Sequence, residues 1–325
     1  MGYIPKKTLE DLEFFTVTEQ LSSFAITPLG KIACQKIVPL PDQLALLTEL
    51  NCVSEFLASF ENDNRIPNHG FEDLSPSFQL LKIENSVLEI SSFRNIASAS
   101  DTINTLLLFF KKLKTYYPSL SAWGENIEVN KEIKLEVDNV IDRFGEIRDN
   151  ASDILFMLRK QIQTVKGKIS QSFNKALSHF QGLDYLDDIR ESVMENKRVL
   201  AVKAMHRRKV KGGILGSSKT GSIVYIEPEA TLNLTRELQN LLFEETEEIK
   251  KILSQLTDYF RPHLDIIKTY QQYLIQIDTF YARARYAKEI NALLPIFTKD
   301  QELWLKNAYH PLLYHSHKLE DKKSY

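Results

Sequence analysis

Apolar side chains recur every three to four residues over most of this chain, the spacing of amphipathic helices that share a core. Leu9, Leu12, Phe15, Val17, Leu21 and Phe24 follow it near the start. Pro28 opens a second short helix through Gly30 to Ile37, and Pro39 and Pro41 end it because proline does not continue a helix interior. Asp42 caps the next helix, which carries Leu46, Leu47, Leu50, Val53, Phe56, Leu57 and Phe60. A loop rich in Asn, Pro and Gly follows from Asn62 to Gly70. A further helix from about Ser91 to Tyr116 is so apolar at Leu106, Leu107, Leu108, Phe109 and Phe110 that burial on all sides is expected. Pro118 and Gly124 close this region.

No proline stands between Pro118 and Pro228, so long uninterrupted elements are allowed. Residues 125 to 141 read as a helix, and Val140 to Arg148 as a turn or short hairpin around Gly145. Ser152 and Asp153 then start a helix whose stripe runs through Leu155, Leu158, Ile162, Val165, Ile169, Phe173, Leu177 and Phe180. Taken from 152 to 181 it is about 45 Å long at 1.5 Å per residue. The pattern changes at residue 184. Val193 to Lys203 alternates around Glu195 to Arg198 as a β-hairpin does, and Ser222 to Ile226 is another strand, closed by Glu227-Pro228. A return helix carries Leu234, Leu238, Leu241, Leu242, Ile249, Ile252 and Leu256 on one face and Glu244, Glu245, Glu247 and Glu248 on the other. Pro262 breaks it, and a last helix runs from Leu264 to about Leu294. The outgoing and returning stripes pair antiparallel. Trp304 and Leu305, with Ala308 to Leu313, read as a strand and turn. The fold class is therefore mainly α, two long helical arms joined by a small β-rich tip and footed on a helical core.

Charge sharpens this picture. The chain has 41 Lys and Arg against 43 Asp and Glu, so no general attraction to nucleic acid or membrane follows. Asn196 to Ile226 departs from that balance. It holds eight of the 41 cations and no acid, which leaves 33 basic against 43 acidic residues elsewhere. Four of the eleven glycines, Gly212, Gly213, Gly216 and Gly221, lie in the same stretch. Lys203, Arg207, Arg208, Lys209 and Lys211 are the first candidates for phosphate contact, with Arg198 and Lys219 next. The plainer alternative is a solvated basic loop. No aromatic residue stands between Lys203 and Lys219, so a duplex or structured RNA suits the tip better than a stacked single strand. The two cysteines, Cys34 and Cys52, lack metal-ligand spacing and suit a reducing cytoplasm. No apolar run approaches the roughly 18 residues of a membrane span.

Three other patterns carry less. Gly213 to Thr220 nearly fits a phosphate-binding loop, with Ser218 in place of the second glycine. Such a loop must open a helix, and Gly221 to Tyr225 is strand-like instead. His310, His315 and His317 have poor spacing for a metal site. The four glutamates of the return helix read as a solvated face.

Short stretches spread over the chain in order carry a resemblance. They are Leu12-Glu13-Phe14, Thr27-Pro28-Leu29-Gly30-Lys31, Asp149-Asn150-Ala151-Ser152, Asn196 to Lys203, Ser222 to Pro228, Asp278 to Ala287 and Ala308-Tyr309-His310-Pro311-Leu312-Leu313. Together they resemble the bacterial MutS family, in the branch linked to recombination and stalled ribosomes rather than mismatch recognition. The resemblance implies a helical core (1–124), outgoing lever helices (125–183), a basic clamp tip (184–230), returning lever and core helices (231–296) and the start of an ATPase domain (297–325). It implies a clamp that closes on double-stranded or branched DNA, or on a ribosome or structured RNA, in the cytoplasm. The phosphate loop and the C-terminal nuclease-like domain of that branch have no counterpart in these 325 residues. The chain is accordingly expected to be a truncated piece with no catalytic site, cofactor or metal of its own. ATP and Mg would belong to a full-length parent, a homodimer, while the piece could stand as a monomer. The competing expectations are a coiled-coil scaffold whose basic tip docks a protein, and, much weaker, a free-standing enzyme built on the loop at Gly213.

Overall fold

The computed structural model describes residues 4–40, 42–297, 303–314 and 316–317. It is mainly helical, with one small antiparallel sheet. The chain divides into two compact units, one made of residues 1–138 and 256–325 and the other of 139–255.

The first unit holds α1 (Lys6–Asp11), α2 (Phe14–Ser22), α3 (Pro28–Gln35), α4 (Gln43–Ser59), α5 (Ser75–Leu81), α6 (Ile90–Lys112), α7 (Pro118–Trp123), most of α8 (Glu132–Val140) and α11 (Leu264–Glu289). The helix expected from Leu9 to Phe24 is in fact two, because Glu13 takes the left-handed conformation with φ 53° and leaves Leu12 exposed. Asp42 caps α4 as expected, accepting from the amide of Ala45 at 2.8 Å. α6 is buried on one side only: Leu106, Leu107 and Phe110 point inward while Leu108 is exposed. Pro118 opens α7 rather than closing the region, since proline at a first helical turn loses no hydrogen bond. α11 is the axis of the unit, with twelve of its 26 residues buried, among them Tyr270, Leu274, Ile277 and Phe280.

One of those buried residues is an acid. Asp278 is 0% exposed and accepts four hydrogen bonds: from the amides of Ile26 at 3.0 Å and Thr27 at 2.9 Å, from Thr27 Oγ1 at 2.6 Å and from His69 Nε2 at 3.2 Å. Thr27 Oγ1 in turn accepts from the amide of Gly30 and caps α3. Burial pushes the Asp278 carboxyl up, and the hydrogen bonds together outweigh it, so it is held below the usual carboxylate range. An added Cβ at Gly30 would collide with this carboxylate, which explains the glycine. Two stretches that carry the family resemblance, Thr27 to Lys31 and Asp278 to Ala287, thus meet in one buried network.

The second unit holds α9 (Asp153–Gly182), four strands and most of α10 (Glu229–Phe260). Ile141 and Ile147 form a single antiparallel bridge, the short hairpin expected there, with Gly145 at φ 89° in its turn. Ser152 caps α9 by accepting from the amide of Leu155 at 3.0 Å. α9 and α10 run antiparallel. Ser152 Oγ donates to Glu248 at 2.8 Å, Arg159 Nε to Glu245 at 2.8 Å, and Ser172 Oγ to the Ala230 carbonyl at 3.1 Å, so partners ascend one helix as they descend the other. Leu158, Ile162, Val165 and Leu241 form the dry seam, flanked by Ile169, Leu234 and Leu238. Two glutamates expected on a solvated face, Glu245 and Glu248, therefore lie against this seam and are largely covered. Pro262 ends α10 in a single 3₁₀ turn, Arg261–His263, before α11.

The strands are β1 (Leu186–Met194), β2 (Lys197–Lys203), β3 (Gly212–Ser217) and β4 (Ile223–Pro228), all antiparallel to their neighbours in the order β1-β2-β4-β3. Glu195 and Asn196 both have positive φ, the tight two-residue turn that suits the twist of a hairpin. In the tail, Leu303 to Ala308 form no strand among the described residues, and Pro311 to Tyr314 make a helical turn instead, consistent with the fixed φ of proline at a first turn. The remainder, from residue 318, lies outside the described residues.

Candidate nucleic-acid interface

β2 and β3 flank β4 and are parallel to each other, so residues 204–211 must cross β4 to join them. Val210, 4% exposed, fastens this crossover to the sheet core of Leu186, Leu200, Val202, Val224 and Ile226, which Phe173 of α9 covers. The polar residues either side of Val210 are thereby left outward. Arg207, Arg208, Lys209 and Lys211 are all exposed on the crossover, and Lys219 is exposed on the β3–β4 turn. Because Lys203 pairs with Ile223 and the Ala204 amide donates to the Ser222 carbonyl at 2.9 Å, that turn lies beside the start of the crossover.

The structure sorts the cations of the stretch into two groups. Lys197 Nζ lies 3.3 Å from Glu227 Oε2, Arg198 reaches Glu191 at 2.6 Å, and Lys203 reaches Asp184 at 2.8 Å. The guanidinium of Arg198 also sits 4.2 Å over the Phe173 ring. The hydrogen bond from Lys203 holds the Asp184 carboxyl below its usual range. Arg207, Arg208, Lys209, Lys211 and Lys219 make no ion pair with any of the described residues. Of the seven candidates, then, five present unneutralised charge, while Arg198 and Lys203 already have carboxylate partners.

Aromatic residues do reach this surface, from outside the basic stretch. Tyr185 stacks on His206 at 4.5 Å and on Phe180 at 6.4 Å, and Lys209 Nζ lies 5.1 Å from the Tyr185 ring centre. Sequence reasoning missed Tyr185, because its approach depends on the turn after α9 and on β1, whose polar run Asp187-Asp188 hides a strand. Its ring is thus already engaged with three groups of the protein itself.

The near match to a phosphate loop is resolved. Gly213 to Thr220 occupies β3 and the turn beyond it, where the Gly221 amide donates to the Ser218 carbonyl at 2.9 Å and the Ile223 amide to Ser218 Oγ at 3.1 Å. Strand follows strand, and the turn leads into β4 rather than into a helix. Gly212 matters for another reason: an added Cβ would collide with the Glu227 carbonyl oxygen, so glycine permits the close approach of β3 to β4. Among the described residues no three His, Cys, Asp or Glu gather as a metal site would require. His310 lies 3.9 Å from Glu13, His317 is described without such a cluster, and His315 lies outside the described residues.

Comparison with known proteins follows the same line. A protein of Bacillus velezensis named Endonuclease MutS2 is 27% identical over 311 residues, 95% of this chain and 40% of the relative. The chain is similar to MutS2 proteins over nearly its whole length. The Endonuclease MutS2 of Lactobacillus helveticus is 29% identical over 309 residues, and that of Staphylococcus carnosus 26% over 314. The chain thus spans about 40% of the length of the MutS2 relatives it matches, while nearly all of it is covered. No family model matches it. No helix among the described residues is long and apolar enough to cross a membrane.

Proposed function

We propose that this chain is the nucleic-acid-gripping part of a MutS-like ATPase, with the sheet as clamp and the α9–α10 pair as lever. The single observation that carries this is the group of five exposed, unpaired cations on the crossover and the adjoining turn. Arg207, Arg208, Lys209 and Lys211 contact backbone phosphates first, Lys219 contributes from the turn, and Arg198 and Lys203 join by exchanging their carboxylates for phosphate. Lys and Arg in this role neutralise charge without reading bases, so affinity depends on salt more than on sequence. The substrate is branched or double-stranded DNA, or the structured RNA of a stalled ribosome. An endonuclease acts on nucleic acid, so the name of the relatives supports the class of target. Closure is driven by ATP and Mg bound elsewhere in a dimeric, cytoplasmic parent, and no catalytic step is assigned to this chain.

The test is binding of the chain to duplex DNA, branched DNA and structured RNA across a salt series, beside the triple variant R207E/R208E/K209E. Each phosphate contact contributes roughly 0.9 to the slope of log affinity against log salt, so the variant should flatten the slope by about 2 to 3. An unchanged slope refutes the assignment. One observation favours protein docking at the same surface: Met205, at the start of the crossover, is 80% exposed, and Ile189 and Val193 of β1 are 62% and 67% exposed. Under that reading the tip captures its partner even after nuclease treatment.

A further inference from the structure

The first unit holds a second basic site, unrelated in sequence to the tip. It is a cavity of about 380 Å³ where the loop after α4 meets the last turns of α11. Three cations line it, Arg65, Arg285 and Lys288, and no acidic residue does. That is notable in a body whose charge outside Asn196 to Ile226 is acidic. All three cations are exposed, and among the described residues only Lys288 has an ion-pair partner, Glu61 at 3.3 Å, at a surface position where such pairs exchange easily.

The floor is aromatic. Phe60 and Tyr281 meet edge to face at 5.8 Å, and the guanidinium of Arg285 and the ammonium of Lys288 lie 5.8 and 5.9 Å from the Phe60 centre. His69 and Asp278 fix this floor from below: the His69 ring packs 5.0 Å from Tyr281 while its Nε2 is held by the buried carboxylate. The site is therefore set directly over the buried hydrogen-bond network of Asp278. A cavity of similar size in this unit, beside Leu46 and Leu50, has a single cation, Arg283, already committed to Glu49 at 2.5 Å, and another, beside Lys131 and Lys134, is also lined by Asp101, which pairs with Lys134 at 2.9 Å. Cations alone would attract any anion. Cations around a half-buried aromatic floor favour an anion that also has a flat apolar face.

We propose that this cavity binds a phosphorylated nucleoside, its phosphate between Arg65, Arg285 and Lys288 and its base against Phe60 and Tyr281. The ligand is either a free mononucleotide or the 5′-phosphorylated end of a nucleic-acid strand, which share this chemistry. Calorimetric titration of the 325-residue chain with AMP, inorganic pyrophosphate, a 5′-phosphorylated trinucleotide and the same trinucleotide without its phosphate tests it. Either AMP or the phosphorylated trinucleotide should bind saturably, at least tenfold more tightly than pyrophosphate and than the unphosphorylated strand. AMP binding as well as the trinucleotide identifies a free nucleotide, and trinucleotide binding alone identifies a strand end. R65E/R285E should weaken binding at least tenfold, and Phe60→Leu severalfold, with unfolding midpoints unchanged for the surface pair. R207E/R208E/K209E should bind as the parent does, which separates this site from the tip. Absence of saturable binding, equal affinity for pyrophosphate, or indifference to R65E/R285E overturns the proposal.

Discussion

Replacing Asp278 by alanine should unfold the first unit far more readily than any surface change. The carboxylate is fully buried and satisfies two backbone amides, one hydroxyl and one imidazole. Alanine leaves the Ile26 and Thr27 amides and His69 Nε2 without an acceptor, while the Thr27 hydroxyl can turn elsewhere. An orphaned buried donor costs about 1–3 kcal/mol. Three of them, partly relieved by water entering the space, give a loss of about 4 kcal/mol, in line with the roughly 3–5 kcal/mol seen when one partner of a buried pair is removed. Asp278→Asn keeps the shape but turns an amide donor toward donors, and should lose about 2 kcal/mol or more. The assay is urea unfolding followed by tryptophan fluorescence. Both tryptophans belong to the first unit, and Trp123 packs edge-on against Phe280 at 5.1 Å while Trp304 is 85% exposed, so Trp123 supplies the signal. The pH dependence has a definite sign. Because the folded carboxyl lies below the unfolded value of about 3.9, its contribution is present above that pH and is lost as pH falls through the folded pKa. Wild type should therefore lose stability below about pH 4 more steeply than Asp278→Asn. A loss under about 1 kcal/mol for Asp278→Ala would refute the reasoning, as would parallel acid profiles.

Further outcomes follow from other contacts. Gly212→Ala should destabilise the sheet by about 1–3 kcal/mol, since β3 must retreat from the Glu227 carbonyl; faster amide exchange confined to β3 and β4 would show it. Ile162→Ala, at a 3% exposed position of the α9–α10 seam, should lose about 2–5 kcal/mol in denaturant unfolding of the second unit. Arg198→Ala should flatten the salt slope of nucleic-acid binding less than Arg207→Ala does, because Arg198 must first give up Glu191 to reach a phosphate. Cys34 and Cys52 are buried and burial pushes both thiols up to about 12, so a thiol reagent at pH 8 should modify them only as fast as the first unit opens.

Long elements with strong caps were readable from residues alone. Ser152 and Asp42 are caps in the structure, Pro262 does end α10, and the hairpin turn falls at Glu195-Asn196. What escaped was short or depended on distant partners. α5 and α7 have seven and six residues, too few for a periodic stripe. Four of the six residues of β3 are glycine or serine, so its pairing with β4 is a property of backbone geometry that side-chain patterns do not encode. At the candidate interface the basic run itself was plain, but its division into paired and unpaired cations was not. Glu191, Asp184 and Glu227 lie outside or at the edge of the run and meet it only through the sheet. Asp278 entered the sequence reading only as the first residue of a stretch carrying the family resemblance, since nothing local reveals that its partners lie between 209 and 252 positions earlier.

That separation has a consequence during synthesis. Thr27 and Asp278 are 251 residues apart, and the first unit is assembled from both ends of the chain, with the whole of the second unit made between them. At roughly 5–20 residues per second, the amides of Ile26 and Thr27 wait on the order of 10–50 s after translation for their acceptor. Throughout that interval α2, α3 and α4 exist without the axis helix that buries them, while the contiguous second unit can already close. The second unit is thus complete before the first, and the earliest helices to be made are the last to be sheltered, so slow synthesis would prolong their exposure.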